Sequence, residues 1–178
     1  SQILSAKNVT KAYFAGGCFW CMEESFEKLD GVIEVISGYS GGTTRNPTYK
    51  EVTYGDTEHF ETVEVIYDNS LTSFKKLLDN FWINIDPFDE YGQFCDKGYS
   101  YRSVAFYQNQ KQKIMIDDSI KKIEKKFQKQ VVTYIRSFDE FYKAESKHQN
   151  FYQENFLNYL RYKKACRREK ILNSIWNF

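Results

Sequence analysis

The order of apolar patterns along the chain predicts an α/β (α+β) fold, a two-layer sandwich in which flanking helices cover a mixed sheet. Short strand-like runs alternate with segments of helical periodicity, and this alternation is typical of sheets that are covered by helices. The 178 residues contain no repeat, low-complexity tract or linker, and this length suits one domain with a sizeable core. We therefore predict a single domain that spans residues 1–178.

Each predicted strand is a short apolar or alternating run that is bounded by turn residues. The first of them ends at Gly16 and Gly17, and the second begins directly after Asp30 and Gly31. The predicted strands are 13–15, 32–37, 62–67, 103–107 and 131–135.

The predicted helices carry apolar residues at spacings of three and four, which place those residues on one face. They span 18–29, 74–81 and 110–129. Segments 37–57 and 86–101 contain several glycines and are predicted to be loops. The last forty residues are polar and aromatic. For them we predict one or two helices and an extended tail, which together form a long irregular C-terminal region.

Charge and hydropathy argue against several classes of protein. The chain has 25 basic and 24 acidic residues, so its net charge does not favour binding to nucleic acid or to an anionic membrane. Segment 121–129 is basic, but its apolar residues at helical spacing favour a solvated helix face. No apolar run approaches the roughly 18 residues that cross a bilayer, and no signal peptide is visible. We expect a cytoplasmic monomer, although Ser1 leaves open a removed leader.

The four cysteines are too few to build a disulfide-stabilised fold of this size. The two histidines, His59 and His148, lie far apart in sequence, and no paired CxxC motifs occur. We therefore expect no metal site.

The segment GGCFWC at 16–21 carries the strongest chemical signal. Cys18 lies where a predicted strand passes through two glycines into a predicted helix. The first N–H groups of that helix are expected to point at the Cys18 sulfur, and with the helix dipole they favour a thiolate. We therefore predict that Cys18 is a nucleophile. Phe19 and Trp20 follow it directly and are predicted to wall a pocket for a small apolar group such as a methyl.

The same segment resembles the Gly-Cys-Phe-Trp motif of the A-type peptide methionine sulfoxide reductases, and the similarity covers about residues 11–176. At position 58 the chain departs from the family, because Glu58 stands where glycine is usual. The matching motifs are SGYSGG at 37–42, NPTY at 46–49, GDTEHFE at 55–61, DP at 86–87, GQFCDKG at 92–98, YRS at 101–103, FYKAE at 141–145 and HQ at 148–149.

The resemblance implies an oxidoreductase that reduces methionine S-sulfoxide, free or in proteins, and thereby repairs oxidative damage. Glu61 matches the acid that protonates the sulfoxide oxygen. Tyr49 and Tyr101 match two tyrosines that donate hydrogen bonds to the same oxygen. Asp96 matches a carboxylate that orients the substrate or water. The resemblance also implies thioredoxin as the external reductant and no bound cofactor.

In this reaction Cys18 attacks the sulfoxide and is left as a sulfenic acid. A second thiol then converts the sulfenic acid to a disulfide. Cys21 lies one helical turn away in a Cys-x-x-Cys spacing. Cys166 lies in a segment that resembles the C-terminal tail in which many family members carry a recycling cysteine. Its position one helical turn from Cys18 favours Cys21 as the resolving thiol, whereas the tail motif favours Cys166. Our preference is Cys166. Cys95 is expected to be incidental.

Two other classes of protein are alternatives. A thioredoxin-like disulfide oxidoreductase would use Cys18 and Cys21, but two aromatic residues separate them and neither Pro47 nor Pro87 gives a cis-proline signal. A binding module with an aromatic groove would show no dependence on thiols.

Overall fold

A curved sheet forms the centre of the computed structural model, which describes residues 8–177. The strands are β1 (Val9–Gly16), β2 (Val32–Ser40), β3 (Phe60–Asp68), β4 (Gly92–Gln93), β5 (Asp96–Lys97), β6 (Ser103–Tyr107), β7 (Tyr134–Ser137) and β8 (Phe141–Lys143). The helices are α1 (Phe19–Glu27), α2 (Tyr49–Tyr54), α3 (Phe74–Ile83), α4 (Gln110–Phe127), α5 (Phe151–Glu154), α6 (Phe156–Ala165) and α7 (Arg168–Trp176).

Six of the strands form one sheet in the order β7-β6-β1-β3-β2-β8. The β6–β7 pair is parallel and the other neighbours in this sheet are antiparallel, so the sheet is mixed. Strands β4 and β5 form a separate hairpin. The predicted fold class, a mixed sheet with flanking helices, is confirmed.

The main core lies between one face of the sheet and helices α1, α3 and α4. Phe14 of β1 is fully buried, and its ring stacks on those of Phe26 in α1 and Phe81 in α3. From α4, Ile116 closes the same cluster. Burying a large apolar side chain stabilises a fold by roughly 1.5–3 kcal/mol, so this layer fixes α1, and with it Cys18, against the sheet.

Four of the predicted segments differ from the structure. Segment 86–101 is not all loop, because it contains the β4–β5 hairpin. Segment 37–57 is not all loop, because α2 forms within it and begins with a capping box in which Thr48 and Glu51 exchange hydrogen bonds. The strand predicted at 131–135 lies instead at Tyr134–Ser137, where it pairs with β6. The prediction of an extended C-terminal tail is wrong, because the helices α5, α6 and α7 lie within residues 151–176. The last of them is fixed to the rest of the fold, since the indole of Trp176 donates a hydrogen bond to the carbonyl of Ile85.

Glu58 has a φ of 61°, which lies in the left-handed region that suits glycine better than other residues. Its departure from the family's glycine therefore places a strained residue at the start of the segment that leads into β3. Within residues 8–177, no helix combines the length and the apolar character that crossing a bilayer requires.

Candidate active site

Cys18 is the residue immediately before α1, and its backbone is extended. Its carbonyl accepts hydrogen bonds from the backbone N–H groups of Cys21 and Met22, at 3.1 and 3.3 Å. The preceding Gly17 has a φ of 86°, and a Cβ at this position would lie 2.6 Å from the Cβ of Gln93. Only glycine therefore allows the sharp turn that presents Cys18 at the start of the helix.

The Cys18 side chain lines a cavity of about 230 Å³. Seven of the eight lining residues belong to the set predicted from the sequence, and Tyr162 is the additional one. The lining residues are Cys18, Phe19, Trp20, Tyr49, Glu61, Asp96, Tyr101 and Tyr162.

Glu61 contributes a buried carboxyl group to this cavity. It lies in β3, is 2% exposed, and its Oε1 accepts a hydrogen bond of 3.2 Å from the backbone N–H of Phe19. Its Oε2 has no hydrogen-bond partner among the described residues. Burial raises the pKa of Glu61 to about 8, so the carboxyl group is mostly protonated at neutral pH.

The prediction that the first N–H groups of α1 point at the Cys18 sulfur is wrong. The first free N–H of α1, that of Phe19, donates to Glu61, and the Cys18 side chain accepts no capping hydrogen bond. A carboxyl oxygen is a far better acceptor than sulfur and lies within reach of that N–H. Burial therefore dominates, and together with the Cys21 sulfur and Glu61 it raises the pKa of the Cys18 thiol.

Two phenol groups lie beside Glu61. Tyr49, the first residue of α2, and Tyr101 line the cavity, and their hydroxyl groups interact with each other. Burial and the nearby Glu61 raise the pKa of both tyrosines. Both hydroxyl groups therefore keep their protons and can donate hydrogen bonds to an oxygen atom in the cavity.

The indole of Trp20 is held in place from two sides. Its Nε1 donates a hydrogen bond of 3.2 Å to Nδ1 of His148, and its ring stacks on Phe151 with 3.8 Å between centroids. The edge of Tyr162 packs against the same indole. A wall fixed in this way presents a rigid apolar surface next to the Cys18 sulfur.

Cys21 is the second free thiol of the site. It is 2% exposed and packs with Cys18 and Tyr159, and the two thiols interact directly. The hydrogen bond from Cys18, together with the positive charge of Arg168, lowers the pKa of Cys21 below its ordinary value. The buried pair therefore consists of a Cys18 thiol and a Cys21 sulfur that readily loses its proton.

Comparison with known proteins identifies the family. Residues 10–177 match the family described as peptide methionine sulfoxide reductase. A relative named peptide methionine sulfoxide reductase MsrA, from Halalkalibacterium halodurans, is 43% identical over 172 residues, which are 96% of this chain and 98% of that protein. The chain belongs to the peptide methionine sulfoxide reductases. This reductase is accordingly an oxidoreductase.

Solved structures share this fold. Mxr1 from Saccharomyces cerevisiae in its reduced form superposes on the reductase with a TM-score of 0.79 and 27% identity, over 85% of this chain and 88% of that one. The structure of Mxr1 in complex with Trx2 gives a TM-score of 0.58 at 18% identity, over 84% and 91%. The second comparison supports the fold alone.

The reductase contains a disulfide that the sequence did not predict. Cys95, in the β4–β5 turn, is bonded to Cys166, which ends α6. The expectation that Cys95 is incidental is therefore wrong, because the tertiary fold brings these two cysteines together across 71 residues. Asp96 also lies close to both sulfurs, but sulfurs bonded to each other offer no thiolate to a metal ion.

Tyr162 and His148 are parts of the site to which sequence reasoning gave no role in the pocket. The Tyr162 hydroxyl donates a hydrogen bond to Asp96, and so links α6 to the β4–β5 hairpin above the cavity. His148 supports Trp20, as described above. The His-Gln motif pointed to His148, whereas Tyr162 lies in a helix whose apolar pattern indicates only packing. His59 has a structural role, because its Nδ1 accepts a hydrogen bond from the Gly42 N–H and its Nε2 contacts the Thr44 carbonyl.

Proposed function

We propose that this chain reduces methionine S-sulfoxide, free or in proteins, to methionine through a sulfenic acid on Cys18, and so repairs oxidised proteins. One observation carries the proposal: a buried carboxyl group, Glu61, lies in the same small cavity as the sulfur of Cys18. A sulfoxide oxygen leaves sulfur readily only when it is protonated. A nucleophile on one side and a proton donor on the other are therefore the two groups that the reaction requires.

Glu61 is proposed as the proton donor. Its raised pKa keeps it protonated at neutral pH, and its Oε2 is free to act, because only Oε1 is held, by the Phe19 N–H. Tyr49 and Tyr101 donate hydrogen bonds to the same oxygen and stabilise the charge that develops on it. Asp96 orients the substrate or water at the rim of the cavity, where Tyr162 holds its carboxylate.

In the proposed reaction the sulfur of Cys18 bonds to the sulfoxide sulfur while Glu61 protonates the oxygen, and the proton of the Cys18 thiol passes to the Glu61 carboxylate. The hydroxyl then moves from the substrate sulfur to Cys18. The S–O bond and the transient S–S bond to the substrate both break, an electron pair stays on the substrate sulfur, and methionine is released from a Cys18 sulfenic acid. Phe19 and Trp20 wall the cavity, where they contact the methyl group of the substrate. The apolar contacts select the methyl, and the hydroxyl groups select the oxygen, so together they favour one epimer at sulfur.

Cys21 is proposed as the thiol that resolves the sulfenic acid, although the sequence alone favoured Cys166. Its thiol already contacts that of Cys18, whereas Cys166 is bonded to Cys95. The sulfur of Cys21 displaces the hydroxyl of the sulfenic acid, which gives a Cys18–Cys21 disulfide and water. We propose that thioredoxin reduces the oxidised enzyme, a step that rests on the family resemblance.

We further propose that the protein acts as a cytoplasmic monomer made of one domain, with no bound metal or organic cofactor. The chemistry of the cavity supports the last point, because a thiol, a carboxylic acid and two phenols complete the reaction among themselves. The near-zero net charge of the chain supports a site that takes neutral substrates rather than nucleic acid.

Assays with single sulfoxide epimers test the function. Incubation with the S epimer of a methionine sulfoxide peptide and dithiothreitol should yield methionine, detected as the loss of one oxygen by mass spectrometry. The R epimer should react at least about a hundredfold more slowly, because it would present its oxygen to the aromatic wall. Faster reduction of the R epimer would contradict the assignment. Reduction of insulin disulfides without sulfoxide reduction would favour a disulfide oxidoreductase instead.

A pair of serine variants tests the resolving residue. Cys21→Ser should release one methionine per enzyme and then stall as a Cys18 sulfenic acid, because no other free thiol of the described chain adjoins Cys18. Cys166→Ser is the matched control and should form the Cys18–Cys21 disulfide normally. Peptide mapping of each variant after one turnover shows whether Cys21 or Cys166 is the resolving residue. A Cys18–Cys166 disulfide in the wild-type enzyme would restore the preference drawn from the sequence.

A further inference from the structure

A second cavity adjoins Cys21. It has a volume of about 410 Å³ and lies between α1, α3, α6 and α7. Cys21 lines this cavity and Cys18 does not, whereas Cys18 lines the first cavity and Cys21 does not. The two cavities share no lining residue. The two sulfur atoms of the pair therefore face different spaces.

The wall of the second cavity carries polar groups that can bind a charged ligand. The side chain of Lys163 lies in it, only 20% exposed, and its Nζ is 3.0 Å from a carboxylate oxygen of Glu169 and 3.4 Å from one of Glu24. Arg168 is 4% exposed and donates a hydrogen bond of 2.8 Å to the carbonyl of Asn84. At the rim, Glu169 is well exposed, so the cavity opens to solvent.

A buried hydroxyl group in this wall also points to a ligand. Tyr159 is 2% exposed, and its hydroxyl lies beside Glu24 and the Cys21 sulfur, yet it makes no hydrogen bond of good geometry with any of the described residues. A buried hydroxyl without a partner destabilises a fold. A polar ligand in the cavity would supply the missing hydrogen bond next to Cys21.

We propose that the second cavity binds a small thiol that carries a carboxylate, and that this thiol, as a second reductant beside thioredoxin, reduces the Cys18–Cys21 disulfide by attacking Cys21. The carboxylate would pair with Lys163 and Arg168. The inference rests on the proposed function, because that reaction produces the disulfide. The substrate and the reductant would then approach through different cavities, so neither has to leave before the other binds.

The exchange conserves atoms and electrons. The incoming thiolate bonds to the sulfur of Cys21, the Cys18–Cys21 bond breaks, and its electron pair leaves on Cys18 as a thiolate in the first cavity. A second thiolate of the same kind attacks the outer sulfur of the mixed disulfide and releases Cys21 as a thiolate. Two small thiols thus become one disulfide, and the two protons that they lose end on Cys18 and Cys21 or in solvent.

The lining of the two cavities sets the point of attack. Cys21 is the thiol that lines the second cavity, and the positive charge of Arg168 stabilises the Cys21 thiolate that leaves in the second exchange. Attack at Cys18 would instead require the thiol to enter the aromatic cavity that Glu61 and Asp96 also line.

Three small thiols of different charge test the site on the oxidised enzyme, prepared with methionine sulfoxide. The probes are 3-mercaptopropionate, 2-mercaptoethanol and cysteamine. Each rate of Cys18–Cys21 reduction, followed by acid quench, alkylation and peptide mapping, is divided by the rate of that thiol with a small reference disulfide. This ratio removes differences in thiol acidity. The ratio should be largest for mercaptopropionate, by about fivefold over mercaptoethanol, and smallest for cysteamine.

Neutralising one lysine should remove this preference. Lys163→Gln should lower the mercaptopropionate ratio about fivefold and change the mercaptoethanol ratio by no more than about twofold. Lys164→Gln is the matched control, since Lys164 is the next residue of α6, is exposed and lies outside this cavity. Asn173→Asp adds a negative charge to the cavity wall and should slow mercaptopropionate selectively as well.

Mapping of the mixed disulfide completes the test. With limiting mercaptopropionate, the probe should be found on Cys21. The inference is overturned if the probe is found on Cys18, if the wild-type ratios do not depend on charge, or if Lys163→Gln slows all three thiols alike. It is also overturned if turnover leaves a disulfide other than Cys18–Cys21. An enzyme that releases no methionine overturns the proposed function instead.

Discussion

Replacement of Cys18 by serine is expected to lower the rate of methionine formation by at least about a thousandfold. A serine hydroxyl is a much weaker nucleophile than a thiol at neutral pH, and it cannot accept the oxygen as a sulfenic acid. The change is nearly isosteric, and the Cys18 backbone, which starts α1, keeps its hydrogen bonds to Cys21 and Met22. Single-turnover release of methionine from the S epimer measures the effect.

Cys21→Ser is the matched control for this variant. Both cysteines are buried and adjoin each other, so a general disturbance of packing would affect both variants alike. The control should release its first methionine at a rate close to that of the wild type. If Cys18→Ser kept more than a small fraction of first-turnover activity, or if both variants lost it equally, Cys18 would not be the nucleophile.

The local elements could be predicted where the apolar pattern is long. The strand at 103–107 agrees with β6, and the helix predicted from 110 begins where α4 begins. The short helix α2 was missed because six residues carry too little periodicity, and its capping box from Thr48 to Glu51 was the one local signal. Strand β7 was misplaced because its pairing with β6, which no local pattern encodes, decides its bounds.

Cys18 and Glu61 lie close together because the strands β1 and β3 pair with each other. In the antiparallel β1–β3 pair Phe14 lies opposite Val63, and a continuation of this register by two residues places residue 61 opposite Gly16. Two residues further, the chain reaches Cys18. The sequence offered both residue types, and the family resemblance linked them. Only the sheet register explains physically why they lie together.

The partner of Cys166 could not be predicted from the sequence. Four cysteines allow three ways of forming two disulfides, and the tail motif favoured a pairing with Cys18. The fold brings the end of α6 onto the β4–β5 turn, where Tyr162 and Asp96 also meet. Tertiary packing of the C-terminal helices, which the sequence predicted only as an irregular region, therefore decides which cysteines pair.

Glu61→Gln is expected to slow first-turnover methionine release by at least about tenfold. Glutamine keeps the shape of the side chain and an oxygen that can accept the hydrogen bond from the Phe19 N–H, whose length is 3.2 Å in the native site. It has no proton to give at this position, so the sulfoxide oxygen must leave with only the phenol groups to assist it. Glu64→Gln, three residues along the same strand and bonded to Tyr13 outside the cavity, is the matched control and should keep its rate.

The pH profile separates an acid from a group that only shapes the cavity. Burial raises the pKa of Glu61 from 4.5 to about 8, so the wild-type rate should fall as the pH rises through about 8 and the carboxyl group loses its proton. Glu61→Gln should lack this decline. Stability changes in the same direction: between pH 4.5 and 8 the unfolded chain ionises Glu61 while the folded chain keeps its proton, so the wild type loses stability as the pH rises through this window. The melting temperature of Glu61→Gln at pH 9 should therefore be no lower than that of the wild type. An unchanged rate with an unchanged pH profile would show that Glu61 does not supply the proton.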